Sequence, residues 1–284
     1  MHMQLTKAQR FRELHTKSET FLMPNAWDPG SARMLASSGF SAIATTSAGI
    51  AFSLGLPDYE GAVSQRVMVD CIHRITRSVE LPVSADLEAG YGTEPVDVAK
   101  TIELAVSAGI VGGNIEDFTG NSAAPLFDSL LAVERIRAAR ATADASGIPF
   151  TLTARTDCYL AKMENAFSEA VRRANLYREA GADCLFVPGA SDPGTIAELV
   201  KEIDGPLTVV MGLTGLSITV AQLQDIGVRR VTIGGSLARA TYHLIRKAAQ
   251  EMALHGTFDY ASQQIPDAEL CAFFSAAEAA SPAI

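Results

Sequence analysis

The sequence predicts a (β/α)8 TIM barrel, and three observations carry that reading. Short apolar runs alternate with amphipathic helical patterns through most of the 284 residues. Several helical patterns run into a glycine suited to a left-handed C-terminal cap: Gly39, Gly109, Gly147, Gly181 and Gly227. Three apolar runs end in charged groups, as strands do where a parallel barrel gathers its chemistry at one mouth. They close on Asp86-Leu87-Glu88, on Glu116-Asp117 and on Arg155. A lone buried charge costs several kcal/mol, so such ends meet a cation, a partner or water.

The elements follow in order. A helix near 5–17 precedes the first strand. Strands are predicted near 20–24, 41–47, 82–88, 111–117, 150–157, 184–189, 207–212 and 229–234. Helices fall between them near 30–39, 62–79, 94–108, 128–146, 163–180, 192–203 and 217–226. Recurrent Ser-Gly-Phe, Ala-Gly-Ile, Ala-Gly-Ala and Ile-Gly-Val steps mark repeated helix-to-strand joints. A doubly wound open sheet needs fewer strands or a second domain, which makes it the weaker reading. Residues 1–284 are therefore expected to form one domain. Its C-terminal segment, 236–284, holds helices near 236–254 and 267–280. That tail is apolar and Ala-rich, and is expected to dock on the barrel or on a neighbouring subunit.

Composition narrows the function. Hydrophobic residues make up 48% of the chain, enough for one large core. A net charge of −9 argues against nucleic acid, which needs a basic face. No apolar stretch reaches the length of a membrane span, and the N-terminus carries no secretory core, so a cytoplasmic protein is expected. Cys71, Cys158, Cys184 and Cys271 lie far apart and form no metal-binding or disulfide pattern. Cys158 sits near the mouth, where a small buried residue is a better reading than a nucleophile.

The strand ends then give a chemical inventory. The six lysines fall in predicted helices or at their edges, which argues against a Schiff-base aldolase. None of the five histidines closes a strand, which argues against a histidine-built metal site or a histidine base. What remains is carboxylates, one arginine, hydroxyls and small loops. Asp86, Glu88 and Glu116 form an all-oxygen set suited to a hard cation such as Mg2+, with Mn2+ as a substitute. Ion pairing of these acids with Arg155 is the plainer alternative. Arg155 also suits a substrate carboxylate or phosphonate held two-pronged. The stretch Thr45-Thr46-Ser47-Ala48-Gly49 offers hydroxyls and backbone N–H groups for a carboxylate. Small loops at 211–215 and 234–236 leave a phosphosugar-type barrel as a rival, though without Lys or His for its acid–base work.

Taken together, several segments resemble the isocitrate lyase/phosphoenolpyruvate mutase superfamily. They are Pro24-Asn25-Ala26-Trp27-Asp28, Thr45-Thr46-Ser47-Ala48-Gly49, Ser53-Leu54-Gly55-Leu56-Pro57-Asp58 and Ala85-Asp86-Leu87-Glu88-Ala89-Gly90-Tyr91-Gly92. Asn114-Ile115-Glu116-Asp117, Ala154-Arg155-Thr156-Asp157 and Gly227-Val228-Arg229-Arg230-Val231 complete the set, across about residues 20–250. The resemblance implies a Mg2+-binding barrel whose eighth helix is swapped between subunits of a homodimer or homotetramer. It implies enolate chemistry on an α-keto or α-hydroxy carboxylate, with Asp86, Glu88 and Glu116 as the metal-site acids. It further implies Arg155, Thr46, Ser47, Ala48 and Gly49 as substrate contacts, and Asp58 as the acid nearest the reacting group.

Departures from the family pattern bear on the reaction. Lyase members carry a basic Cys-Gly-His loop after the Glu116-Asp117 strand. Here Phe118-Thr119-Gly120-Asn121-Ser122-Ala123-Ala124-Pro125 holds no Cys, Lys or His. Mutase members usually place a Lys and a polar residue there, and Asn121 or Ser122 supplies only the latter. Glu88 replaces an expected Asp. The expectation is a Mg2+-dependent, lyase-type enzyme cleaving or decarboxylating a small oxaloacetate-like acid. Asp58 and Arg155 are the catalytic candidates and Asn121 a further substrate contact. The alternatives are a P–C mutase or hydrolase of the phosphoenolpyruvate mutase or carboxyphosphonoenolpyruvate phosphonomutase type, and a catalytically silent carboxylate-binding barrel.

Overall fold

Pro24 divides the first strand of the barrel into two short pieces that face different neighbours. In the computed structural model, which describes residues 2–58, 61–213 and 218–279, β1 (Phe21–Met23) and β2 (Asn25–Ala26) flank it. β1 pairs in parallel with the last strand, and β2 pairs in parallel with the next one, β3 (Ile43–Thr45). Around the sheet follow β4 (Val83–Asp86), β5 (Gly112–Glu116), β6 (Thr151–Arg155), β7 (Cys184–Phe186), β8 (Leu207–Val210) and β9 (Arg230–Thr232). All pairs are parallel, in the order β1-β9-β8-β7-β6-β5-β4-β3-β2. Because β1 and β2 are one stretch of chain, the sheet closes on itself as the predicted barrel.

Asn25 stitches that closure. Its Nδ2 donates to the Thr45 carbonyl at 2.7 Å, while its Oδ1 accepts from the amides of Ile233 and Gly234, both at 3.0 Å, and from the Thr232 hydroxyl. One amide side chain thus joins the first strand to its neighbours on both sides.

Helices cover the barrel in the expected alternation. α1 (His2–Thr16) precedes the barrel, and α2 (Pro29–Ser37) and α3 (Ser47–Ser53) follow β2 and β3. α4 (Gln65–Ser78), α5 (Pro95–Ser107), α6 (Ser129–Ala145), α7 (Ala166–Glu179), α8 (Pro193–Glu202) and α9 (Val220–Ile226) complete the wrap. Local chemistry fixes their ends. Asp28 and Ser31 form a reciprocal capping box behind Pro29, and Thr219 does the same with Gln222. The five predicted capping glycines all have positive φ, from 71° at Gly147 to 108° at Gly181. The sequence reading missed α3: residues 46–49, expected as the end of a strand and the start of a loop, cap and begin this helix. Thr214 and Gly215 of the small loop near 211–215 lie outside the described residues, as does Ser217.

Strand alternation separates two interiors. Outward residues such as Val83, Ala85, Ile115, Leu152 and Ala154 pack against Ile72, Ile75, Val98, Ile102 and Ala174 of the helices. Many inward residues are polar: Ser84, Thr153, Thr208 and Thr232 are all buried inside the barrel. α1 closes the N-terminal end. Phe11 packs where Gly112 leaves room, since a Cβ there would lie 2.6 Å from its ring.

Beyond β9, α10 (Ser236–His255) leaves the barrel, a 3₁₀ turn (Asp259–Gln263) follows, and α11 (Asp267–Ala279) reaches back until Phe274 nears Gly30 of α2. Among the described residues no helix is long and apolar enough to cross a membrane.

Asp117, grouped with Glu116 in the sequence, faces away from the mouth and anchors β5 to α7. It accepts from the Thr156 hydroxyl at 2.8 Å, the Asp157 amide at 3.0 Å, the Tyr177 hydroxyl at 2.7 Å and Arg173 at 3.2 Å. Removing it breaks one of the two ion pairs of the buried Arg173 and takes the acceptor from the Thr156 and Tyr177 hydroxyls. Asp117→Ala is expected to cost about 3–5 kcal/mol of stability, read as a lowered urea midpoint.

Candidate active site

The inward positions of β4, β5 and β6 fall in register. Asp86 lies beside Asn114 and Asn114 beside Thr153; one step on, Glu116 lies beside Arg155. Above them is a cavity of about 190 Å³ lined by Asp86, Asn114, Arg155, Ser47, Asp58 and residues of β2, β3 and β9. The strand ends anticipated as a chemical centre do meet in space.

Asp86 is held from two sides. Its Oδ1 accepts from Asn114 Nδ2 at 3.0 Å, and its Oδ2 accepts from the Ser47 hydroxyl at 2.8 Å and the Ser47 amide at 3.1 Å. The amides at 46–49, expected to be open to a ligand, are thus partly used: Ser47 N–H serves Asp86, and Gly49 N–H donates to the capping Thr46 hydroxyl at 3.3 Å. Thr46, Ser47 and Ala48 nonetheless line the cavity. Gly49 lies behind them, where a Cβ would come within 2.8 Å of Trp27. The Asp58 carboxylate stands 3.4 Å from the Ser47 hydroxyl.

Arg155 is bound more tightly than the sequence reading allowed. Its Nε and one terminal nitrogen grip Asp157 two-pronged at 2.6 and 2.8 Å, and the other reaches Glu116 at 2.8 Å. The fork expected to read a substrate carboxylate already reads one from two residues past the end of its own strand. Asp157 was missed as a site residue, although its spacing of two from Arg155 places both on one side of an extended chain. Burial pushes the Glu116 carboxyl well up and raises Asp157, with Arg155 pulling both the other way.

Glu88 departs from its expected place at a strand end. β4 stops at Asp86, and Glu88 sits in the following turn with φ of 50°. Gly90 and Tyr91 share the left-handed region at 81° and 58°. Arg135 of α6 holds this turn: fully buried against the Phe127 ring, it donates to the carbonyls of Ala89, Gly92 and Thr93. The Tyr91 hydroxyl donates to Glu88 at 2.9 Å. Burial first, then the nearby Asp86 charge, push the Glu88 carboxyl up to about 7.

Asn121 does not reach the main cavity. It is exposed, accepting from the Ala123 amide within its own loop, and borders a second, shallower pocket with Glu88, Tyr91 and Glu116. Cys158 is fully buried, its thiol pushed up to about 11 by burial, which suits packing and not nucleophilic attack.

Comparison with known proteins converges on this architecture. The family model for phosphoenolpyruvate phosphomutase matches residues 11–253. The chain belongs to the isocitrate lyase/phosphoenolpyruvate mutase superfamily. This superfamily member is 35% identical to an uncharacterised Mycobacterium tuberculosis protein over 86% of its own length and 88% of the relative's. A crystal structure of a Burkholderia cenocepacia protein, provisionally assigned as a lyase/mutase, is 44% identical with a TM-score of 0.93, covering 97% of this chain and 98% of that one. Oxaloacetate acetylhydrolase, solved with its product oxalate, is 26% identical with a TM-score of 0.85, covering 97% and 95–96% respectively across its ligand complexes. Family and structural neighbours are enzymes, lyases and mutases among them.

The raised Glu88 has a measurable consequence. Glu88 holds its proton more tightly folded than unfolded, so its contribution to stability is full below its ordinary value of 4.5 and is lost as pH rises through about 7. In metal-free protein, Glu88→Gln is expected to flatten the fall in thermal midpoint across that window.

Proposed function

We propose that the protein is a divalent-metal-dependent lyase that cleaves or decarboxylates a small α-keto or α-hydroxy dicarboxylate through an enolate. One observation carries the reading: several carboxylates gather at the mouth of the barrel, and the guanidinium nearest them is already claimed by two. Asp58 and Asp86 line the cavity with Arg155, Glu88 and Glu116 border the second pocket, and Glu116 and Asp157 clamp Arg155; burial raises the protonation of Glu88, Glu116 and Asp157. That excess of negative charge is what a cation relieves.

The donor set fits a hard ion. It is all oxygen, and among the described residues no three His, Cys, Asp or Glu groups converge into a ready cage. Mg2+ suits such a site, because it keeps several waters and takes one or two carboxylates plus substrate oxygens. Asp86 would hold it directly, with Glu88 and Glu116 holding its waters. Once bound, the ion supplies charge stabilisation for a developing enolate.

The chain's own groups do the remainder. Asn114 and Ser47 fix the Asp86 carboxylate, and Arg155 sets the wall on the β6 side. Asp58, bridged to Asp86 through the Ser47 hydroxyl, is placed to carry a proton. The loop at 118–127 brings no competing group. It closes on itself through a Phe118–Leu126 bridge and the Thr119 hydroxyl, which donates to the Ala124 carbonyl at 2.6 Å. With no lysine there to meet a phosphonate's extra charge, C–C chemistry is favoured over P–C chemistry.

Subunit exchange is part of the proposal. α10 exposes Leu244, Ile245, Met252 and Leu254, and the following segment exposes Phe258 and Tyr260. Apolar surface of this kind is suited to burial against a second copy.

Assay with oxaloacetate, dimethylmalate, methylisocitrate and phosphonopyruvate in Mg2+ tests the reading. Turnover of a C–C substrate that EDTA abolishes and Asp86→Ala lowers at least about a hundredfold is expected. Activity indifferent to EDTA would refute the metal assignment, phosphonopyruvate cleavage alone would move the reaction to the P–C class, and oxalate binding without turnover would leave a binding barrel.

A further inference from the structure

The barrel interior holds a second guanidinium that the site above does not use. Arg230 opens β9, is 3% exposed, and lines the floor of the same cavity with Asn25, Thr45, Ser84, Asn114 and Thr232. Its two terminal nitrogens have neutral partners: His15 Nε2 at 3.2 Å and the Thr153 hydroxyl at 3.0 Å. Its Nε is buried with no partner among the described residues. No carboxylate pairs with it there, whereas buried Arg155 and Arg173 each hold at least one acid.

His15 cannot supply the missing charge. Its Nδ1 bonds the Phe11 carbonyl at 2.9 Å, so that nitrogen carries the proton and Nε2 accepts from Arg230. Burial, reinforced by the Arg230 charge, lowers its pKa to about 3, so the ring is neutral at ordinary pH. The aromatic edges of Phe11 and Phe21 pack around it and seal the bottom of the barrel. The positive charge is therefore closed off from below and open only to the cavity. An uncompensated buried charge is costly, and an arginine does not shed its proton to escape that cost.

We propose that the cavity floor is an anion subsite centred on Arg230, taking one small anionic group beside the hydroxyl of Ser84. That group is either the far carboxylate of a dicarboxylate substrate or a small ion from solution. The substrate source rests on the function proposed above; the ion source does not. Distance favours the substrate. Asp86 and Thr153 are two strand positions apart through Asn114, about 10 Å along the wall. A four-carbon dicarboxylate with a hydrogen bond at each end spans a similar length. Oxalate is too short to touch both ends.

Calorimetric titration of the full chain with oxalate and L-malate in Mg2+, with Arg230→Met and Arg230→Lys alongside the wild type, separates the sources. Thermal unfolding in chloride against gluconate, without metal, reads the ion alone. A loss of malate affinity of about ten- to a hundredfold in Arg230→Met, with oxalate unchanged, establishes the substrate source. Unchanged malate affinity, with a chloride-dependent rise in melting temperature that only the wild type and Arg230→Lys show, establishes the ion source. Equal malate binding in all three proteins, with no chloride response in any, overturns the proposal. If neither variant folds, wild-type crystals soaked in bromide or malate decide: anion density against Arg230 sustains the subsite, and an empty floor in both overturns it. Because the bromide and chloride measurements need neither metal nor turnover, an anion held at Arg230 by an inactive protein would refute the lyase and keep the subsite.

Discussion

The clamp of Arg155 between Glu116 and Asp157 is the constraint on which the active end of the barrel depends. All three side chains are nearly inaccessible, so neither sign of charge is tolerable there alone. The clamp leaves one negative charge over, and it stands beside Asp86, Glu88 and Asp58. That residue of charge is the ground on which the mouth is proposed to take a cation. In a protein with Arg155 and a single acid, the same arrangement would be a neutral structural pair. The clamp also rests on what lies behind it, since the Asp157 amide is held by Asp117, which in turn ties Thr156, Tyr177 and Arg173 together.

Rigidity reaches the other acids by separate routes. Asp86 is fixed by Asn114 on the next strand and by Ser47 at the start of α3. Glu88 is fixed by a turn that needs left-handed backbone at three of four consecutive residues, two of them bearing side chains that pay a steric penalty there. Arg135 makes that turn affordable by donating to three of its carbonyls. The position of Glu88 thus depends on a buried cation from α6 that binds the turn's carbonyls.

The periodic parts of the fold were legible in the sequence because periodicity is local. Apolar alternation and the positive-φ glycines gave the strands and helix ends to within a few residues. α3 was hidden because its seven residues, Ser-Ala-Gly-Ile-Ala-Phe-Ser, are too short for a helical period to show. Glu88 was placed on a strand because its apolar approach runs on through Leu87, and only the Arg135 contact, more than 40 residues away, reveals the turn. Asp86, Glu116 and Arg155 stood out as charges ending apolar runs. Asp157 did not, because its partner is its own near neighbour, and a pair of opposite charges reads as ordinary surface in a sequence.

Buried guanidiniums offer the sharpest contrast in this barrel. Arg135 is spent on carbonyls, Arg173 on Asp117 and Glu169, and Arg155 on Glu116 and Asp157. Each has a partner that accounts for its place. Arg230 is buried more deeply than Arg155 or Arg173, yet it meets a neutral imidazole, one hydroxyl and open space. A purely structural role would be served as well by a leucine or methionine, which would fill the barrel without a charge to solvate. Only a cation facing a cavity gains from an anion arriving there. The mouth of the barrel gathers negative charge and its floor holds one positive charge. A dicarboxylate coordinated at the mouth through a metal and anchored at the floor through Arg230 would neutralise both, and neither end alone would give that selectivity for length.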